Sequence, residues 1–371
     1  MVVLSFICLG LIAYTYVGYP MLIVVLAKLF RHHPEIDTEW QPVVTVCIAV
    51  YNGEAYLEDK LASVLAMDYP ADKLEVIVCS DCSSDSTDDI ARAHAAKDPR
   101  IQFMRNEQRV GKPTALNRMR DAAKGEVLLM TDVRQRLSEN AARDLVARLA
   151  PADVGCVSGA LQLEGDTGAG LYWRYELAIR RNEARFRGLV GVTGALYAVR
   201  TADVAPLPAD TVLDDMLIPM RLRVAGRRIL LHEDAIAYDR AYEDKREFAR
   251  KVRTLFGNYQ LYSRLPRLLV PVLSRAWLEI ISHKVMRLVC PWLLLALLGS
   301  SAAVAADSSQ SDTTNKLFLG LLAGQIAFYL MALVGRRGGK LCGVARTFVV
   351  LNASAVVGFW QFLRRRNRVT W

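Results

Sequence analysis

Val43 to Val50 reads VVTVCIAV, an uncharged run rich in β-branched residues, opened by Pro42 and closed by the turn Tyr51-Asn52-Gly53. A run of this length between turn signals predicts a buried strand. The segment after it, Glu54 to Ala66, places Tyr56, Leu57, Leu61 and Leu65 at helical spacing. The same alternation continues. Strands are expected at Lys73 to Ser80, Ile101 to Arg105 and Glu126 to Met130, with helices at Asp88 to Ala96 and Thr114 to Ala123. Strands that alternate with helices imply an α/β, Rossmann-like and mostly parallel sheet, whose ligands bind beyond the carboxyl ends of the strands.

The polar segments of the chain fall at those ends. Val78 to Thr87 is VCSDCSSDST, Gly111-Lys112-Pro113 opens a helix, and Leu129 to Gln135 is LMTDVRQ. Further along come Val212 to Leu217, VLDDML, and Arg250 to Thr254, RKVRT. Asp81 is placed to accept from a base or ribose, while Asp85 and Thr87 are expected to cap the helix that follows. Lys112, beside a glycine at a helix start, can reach a phosphate or a base carbonyl. Asp214 and Asp215 open a helix, either as charge at the positive end of its dipole or as a base. Arg253 suits either a lipid headgroup or a diphosphate. Single acids at Asp81, Asp132 and Asp215, followed by an arginine, form an order that suits transfer from a sugar nucleotide.

Hydrophobic blocks flank this middle region. Residues 2–27 hold no charge, longer than the roughly 20 residues that span a bilayer. No positive region precedes the run and no small-residue cleavage site follows it, so a transmembrane helix over 1–30 is expected rather than a cleaved signal. Lys28 and Arg31 come after it, which puts the amino terminus outside and residue 31 onward in the cytoplasm. Leu288 to Ala306 and Leu317 to Val334 are two more spans, separated by the polar loop DSSQSDTTNK and followed by Arg336, Arg337 and Lys340. Thr347 to Leu363 carries Asn352 and Ser354 and ends in Arg364, Arg365, Arg366 and Arg368. If it crosses, those arginines lie outside, against the charge rule; if it is re-entrant or interfacial, they stay inside.

The formal charge of +9 could suggest nucleic acid, but the basic residues crowd the stretch from Lys245 to Arg287, among Phe248, Val252, Phe256, Tyr259 and Tyr262. That pattern reads as basic amphipathic helix against anionic headgroups, with no nucleic acid partner. The seven cysteines form no disulfide framework. Cys79 and Cys82 make one CxxC without a second pair, expected as two reduced thiols at a strand end.

The segments IAVYNGEAYL, DCSSDST, GKPTALN, MTDVRQ, TGALYAVR, LDDMLIPMRLRVAGRRI and RKVRT occur in the order seen in glycosyltransferase family 2. Over roughly residues 42 to 262 the chain resembles membrane-integrated bacterial members, such as the cellulose, chitin and hyaluronan synthases and exopolysaccharide synthases. The resemblance implies a GT-A fold and an organisation of transmembrane helix 1–30, GT-A domain 42–244, interfacial helices 245–285, membrane helices 286–363 and basic tail 364–371. It also implies direct displacement on a nucleoside diphosphate sugar, most simply a UDP-sugar, at the bacterial inner membrane, with the catalytic domain cytoplasmic.

Carried over by residue, Tyr51 and Asn52 would shape the nucleoside pocket, Asp81 would contact uracil or ribose, and Lys112 would lie at the nucleotide. Asp132 would be the first acid of the DxD motif and a ligand for Mg²⁺ or Mn²⁺. Asp215 would be the general base, supported by Asp214, and Arg253 would grip the diphosphate. Trp173, Tyr175, Phe186 and Tyr197 are candidates to line an acceptor cleft.

Three departures stand out. Arg134 replaces the last acid of DxD, where it could offset diphosphate charge, bind an acidic sugar or point away. Arg250 and Thr254 replace the glutamine and tryptophan of QxxRW, which weakens the expected acceptor platform. Cys82 and Ser86 replace turn glycines, of little consequence if the backbone keeps negative φ. The readings are a processive polysaccharide synthase, a single-sugar transferase acting on a lipid or lipid-linked acceptor, and an inactive membrane partner of another synthase. The resemblance is consistent with a homo-oligomer.

Overall fold

The computed structural model describes residues 1–30, 35–164, 170–240 and 247–364. Helices α1 (Val2–Ala13) and α2 (Tyr19–Leu29) are joined by a π-turn at Tyr14–Gly18 into one 28-residue helix. The catalytic-type domain then runs β1 (Val44–Val50), α3 (Glu54–Leu65), β2 (Leu74–Ser80), α4 (Thr87–Lys97), β3 (Ile101–Arg105), α5 (Lys112–Ala122) and β4 (Val127–Asp132). It continues with β5 (Arg136–Leu137), α6 (Ala141–Leu149), β6 (Val154–Glu164), α7 (Gly170–Phe186), β7 (Tyr197–Arg200), α8 (Asp214–Val224), β8 (Arg228–Arg240) and α9 (Glu247–Arg264).

Every residue of β1 is buried, and its two-residue period divides it between two cores. Val44, Val46, Ile48 and Val50 pack with Leu57, Leu61 and Val64 of α3. Cys47 and Ala49 pack with Ala115, Leu116 and Met119 of α5 on the other face. A central strand covered by helices on both faces is why no polar residue interrupts the run save Thr45. The strand order is β3-β2-β1-β4-β7-β6-β8-β5. The first four are parallel, as expected. The second half is mixed: β7 is antiparallel to β4 and β6, β6 runs parallel to β8, and β5 closes the edge antiparallel to β8. Asp132 ends β4, and α5 begins at Lys112 with Pro113 in its first turn, where the missing N–H costs nothing.

The last third holds α10 (Trp277–Glu279), a π-turn Ile280–Val285 and α11 (Met286–Ala305) as one helix, then α12 (Asp312–Val334) and α13 (Gly339–Leu363). Val2–Leu29, Trp277–Ala305, Asp312–Val334 and Gly339–Leu363 are each long and apolar enough to cross a membrane. Their large residues, among them Phe6, Ile7, Leu295, Leu317 and Leu330, face outward, as a lipid solvent requires. Away from the catalytic domain, Ser5 bonds Ser300 at 2.7 Å and Phe6 meets Phe318. At the domain end, Tyr14 bonds Ser282 and Tyr19 bonds Glu183 of α7.

Helix α13 behaves differently from the other three. Its start packs against Val334 and Gly335 at the domain end of α12, and Phe348 meets Tyr16. Its finish lies on α9, where Gly358 abuts the Phe256 and Val252 main chain and Phe359 and Phe362 stack on Tyr259. Both ends therefore sit at the domain side of the bundle, the placement that the interfacial alternative for Thr347 to Leu363 calls for. The same contacts correct the reading of α9. Its apolar face is covered by α13 and by Leu213 against Gly257, so protein rather than headgroups fills it. Lys245, Arg246, Arg31, Arg365, Arg366 and Arg368 lie outside the described residues. All seven cysteines are free thiols, with Cys79 buried and Cys82 half-buried.

Candidate active site

The site is built from the end of β2 outward. Asp81 follows β2 and is fully buried, accepting hydrogen bonds from Asn106 Nδ2 (2.9 Å), Val110 N (3.0 Å) and Gly111 N (2.8 Å). That corrects its expected role. A carboxylate occupied by three donors and closed to solvent anchors the 106–111 loop and does not present itself to uracil or ribose. The anchor has a consequence for the next residue. Gly111 has φ +89°, open to glycine alone at little cost, and this turn delivers Lys112 to the first position of α5.

Lys112 Nζ donates to Asp132 Oδ1 at 2.8 Å and pairs with Asp214 Oδ2 at 3.0 Å. Burial works against its charge, but Asp132, Asp214 and Asp215 outweigh that and hold the ammonium well above the ordinary lysine range. Asp214 and Asp215 open α8, whose helix N-terminus favours negative charge. Asp215 points into the gap over Gly194. A Cβ at Gly194 would stand 3.3 Å from Asp215 Oδ2 and 3.4 Å from Asp132 Oδ2, so the missing side chain keeps that space open between two carboxylates. Burial first, and Asp214 next, push the Asp215 carboxyl up to about 7, against the opposing charges of Lys112 and Arg253. A carboxylate poised near neutrality suits proton abstraction.

Around this centre the remaining residues are placed as follows. Tyr51 lies under the Arg109 guanidinium, 3.8 Å from its ring centroid. Asn52 has φ +48° and links two turns, with Oδ1 accepting from Ser84 N at 2.9 Å and its own N–H donating to Ser83 Oγ. Asp85 accepts from Thr87 N at the start of α4, as expected, and also from Glu54 N, while Glu54 accepts from Ser86 N, so the starts of α3 and α4 hold each other. Cys82 has φ +60°, contrary to the expected negative value; the backbone there carries the strain a glycine would avoid. Arg253 lies exposed on α9, close enough to Asp215 for its charge to act on that carboxyl.

Arg134 Nε donates to the buried Asp239 on β8 at 2.6 Å, and Gln135 Nε2 holds the other oxygen at 3.0 Å. The guanidinium therefore braces β8. Among the described residues no group of three His, Cys, Asp or Glu is placed to hold a metal. Asp132 still fits one, because a divalent ion bound with a diphosphate needs only one or two protein carboxylates, and Asp132 Oδ2 faces the open gap while Oδ1 takes the lysine.

Of the aromatic candidates, Phe186 and Tyr197 are buried core residues and Tyr175 packs on Arg287, so an acceptor cleft lined by all four does not form. Sequence reading missed the pairing of Lys112 with Asp214 and the role of Gly194. The TGALYAVR motif held the only signal for the latter. A recess of about 450 Å³ lies at the opposite end of the central strands, where β4 begins and β7 ends, lined by Arg120, Glu126, Arg200 and Thr201. Arg200 there is consumed by main-chain carbonyls of 149–154, away from any carboxylate cluster.

The model of the family described as "Glycosyl transferase family 2" matches residues 45–200. The chain is 35% identical over 95 residues to glycosyltransferase TuaG of Bacillus subtilis, whose name assigns it to teichuronic acid biosynthesis, covering 26% of this chain and 37% of that one. It is 23% identical over 206 residues to a poly-beta-1,6-N-acetyl-D-glucosamine synthase of Staphylococcus aureus, covering 53% and 49%. The chain thus spans half or less of the curated relatives' length. Mannosyltransferase PcManGT from Pyrobaculum calidifontis, solved with GDP-Man and Mn²⁺, superposes with a TM-score of 0.77 at 24% identity, over 98% of this chain and 100% of that one. The strand order, the carboxylates at the strand ends and these matches agree: residues 45–200 match glycosyltransferase family 2, within a chain of GT-A fold flanked by apolar helices.

Proposed function

We propose that this chain transfers a sugar, with inversion, from a nucleoside diphosphate sugar to a hydroxyl presented at the membrane, and that the product is a growing glycan. The observation that carries the reading is the Asp215 carboxylate, poised near neutrality in the gap over Gly194 and beside the Lys112 ammonium. Asp215 takes the acceptor hydroxyl proton as that oxygen forms its bond to the anomeric carbon. The bond from that carbon to the diphosphate breaks, and the diphosphate leaves with the electron pair. Lys112 and Arg253 offset its charge, and Asp214 keeps Lys112 in place. Asp132 would hold a divalent cation against the donor diphosphate, where the ion would supply further charge neutralisation. Positive charge after the first helix supports a cytoplasmic domain at a bacterial inner membrane.

The test is a panel of nucleotide sugars offered to full-length protein in nanodiscs, with nucleoside diphosphate release measured and the product sized. Release from one donor with a ladder of products is expected. Release from none overturns the transferase reading and favours an inactive partner. A second reading, single transfer to a lipid-linked acceptor, is favoured by Thr254, which leaves no tryptophan platform on α9. A single product size would select it.

A further inference from the structure

The proposed transfer leaves one buried amine unused. Lys60 stands on α3 with its side chain fully buried, and among the described residues the one hydrogen-bond partner of its Nζ is Thr131 Oγ1, at 2.8 Å. Thr131 precedes Asp132 at the end of β4, and its hydroxyl donates to Ala195 O at 2.7 Å. Ala195 follows Gly194, the residue that leaves the gap between Asp132 and Asp215 open. Because Lys60 donates to Thr131 Oγ1, the single proton of that hydroxyl is left for Ala195 O.

The bond falls where the sheet stops holding the two segments together. The antiparallel ladder between β4 and β7 ends at the pair Met130 and Tyr197, so it does not join Thr131 to Ala195. The Thr131 hydroxyl carries the link past the ladder's end. On its other side the same turn reaches α8, where Val192 N donates to Asp215 O at 3.4 Å. Residues 192–196 are therefore a strap from the main chain of Asp215 to the strand end that carries Asp132, and Lys60 pins it. Nothing in the packing of α3 asks for an amine there. The adjacent Leu57, Leu61 and Val64 lie in an apolar core, and an apolar side chain of similar length would avoid the desolvation of a buried amine. A group kept at the expense of stability beside a reactive gap points to a role in that gap.

We propose that Lys60 is a positioning residue for sugar transfer: acting through Thr131, it fixes the turn at Gly194 and so the separation of Asp132 from Asp215. The inference deepens the proposed transferase function and rests on it. A donor diphosphate at Asp132 and an acceptor hydroxyl at Asp215 have to meet across that gap, and a misplacement of about 1 Å there costs up to about 10²-fold in rate.

The experiment compares full-length wild type, Lys60→Met, Thr131→Val, Thr131→Ser and the double variant Lys60→Met with Thr131→Val in nanodiscs, each offered the panel of nucleotide sugars. In Lys60→Met and in Thr131→Val, kcat should fall about tenfold, the weight of one hydrogen bond, while donor KM stays within about twofold. The double variant should lose no more than either change alone, because both cut the same link. Thr131→Ser keeps the hydroxyl and should keep most of the activity. Amide hydrogen exchange, which needs no turnover, should quicken about tenfold in residues 192–196 of the two impaired variants and stay as in wild type in β1 and β2. An unchanged kcat in Lys60→Met overturns the proposal, as does unchanged exchange in the turn. Losses that multiply to about a hundredfold in the double variant would show that Lys60 does not act through Thr131. Faster exchange spread over the whole domain would leave Lys60 a general structural role and overturn the positioning one. Wild type that releases nucleoside diphosphate from no donor sinks the transferase reading, whereas release that is equal in wild type and Lys60→Met sinks this proposal alone.

Discussion

Asp132 and Asp215 stand on either side of Gly194, and Lys112 is bonded to the first and not the second. The difference sets their chemistry. Asp215 must be ionised to accept a proton, and burial together with Asp214 pushes its carboxyl up to about 7. Hence kcat/KM should climb with pH through about 7 and flatten above it. Asp214→Asn removes the neighbouring negative charge and should move that inflection to lower pH; an unmoved or raised inflection in the pH profile would contradict the base assignment. Asp215→Asn should cost about 10²- to 10⁴-fold in turnover. Lys60 offers a separate test on stability. It is fully buried under β4, donates to Thr131 Oγ1 at 2.8 Å, and burial brings its amine down to about 7 against the pull of Asp132 and Asp239. With the folded pKa below the unfolded value, the unfolded chain binds the extra proton between about 7 and 10.5, so stability rises with pH across that window. Lys60→Met should therefore raise the melting temperature at pH 7 and lose its advantage toward pH 10.5; a lower melting temperature at pH 7 would refute the argument.

Among the elements, β1, β2 and β4 were legible because each is a short, mostly apolar run closed by a turn, and two-sided burial tolerates no alternation. The antiparallel half was not. Residues 154–164 and 228–240 mix Gly, Gln, His and Asp with apolar residues, since these long strands carry side chains such as Asp239 that serve Arg134 and Gln135. Site residues could be assigned individually, but Lys112 meets Asp214 only through the fold. The seam between α9 and α13 was equally hidden, because a glycine in an apolar helix carries no pattern. A Cβ on Gly358 would lie 2.9 Å from Phe256 N and 3.2 Å from Val252 O, main-chain atoms that cannot yield as a side chain would. Gly358→Val should push α13 off α9 and displace Arg253, raising the donor KM and lowering kcat in membranes that contain normal amounts of protein. Gly320→Ala, which meets nothing within 4 Å, is the matched control. Equal kinetics for the two variants would show that the seam does not position Arg253.

For the whole molecule, the contacts of α13 bear on how many of the four apolar helices cross. Helices Val2–Leu29, Trp277–Ala305 and Asp312–Val334 reach from the catalytic domain to the end where Ser5 meets Ser300 and Phe6 meets Phe318. Helix α13 is long enough to do the same, yet it starts against Val334 and Gly335 and finishes on α9, all at the domain end. Lying along the interface, it would keep Arg364 on the side of the catalytic domain, where positive charge is favoured. That placement would resolve the conflict in the sequence, since the basic flanks at Arg337, Lys340 and Arg364 would share one side. Three crossings would put the loop around Ser309 on the opposite side. The prediction is read by membrane-impermeant maleimide on sealed, right-side-out vesicles, using Ser309→Cys and Arg364→Cys in turn. The native thiols are buried or half-buried and set the background. Ser309→Cys should label without lysis, and Arg364→Cys only after it. Labelling of Arg364→Cys in intact vesicles would mean that α13 crosses, and its contacts with α9 would then have to break in the membrane.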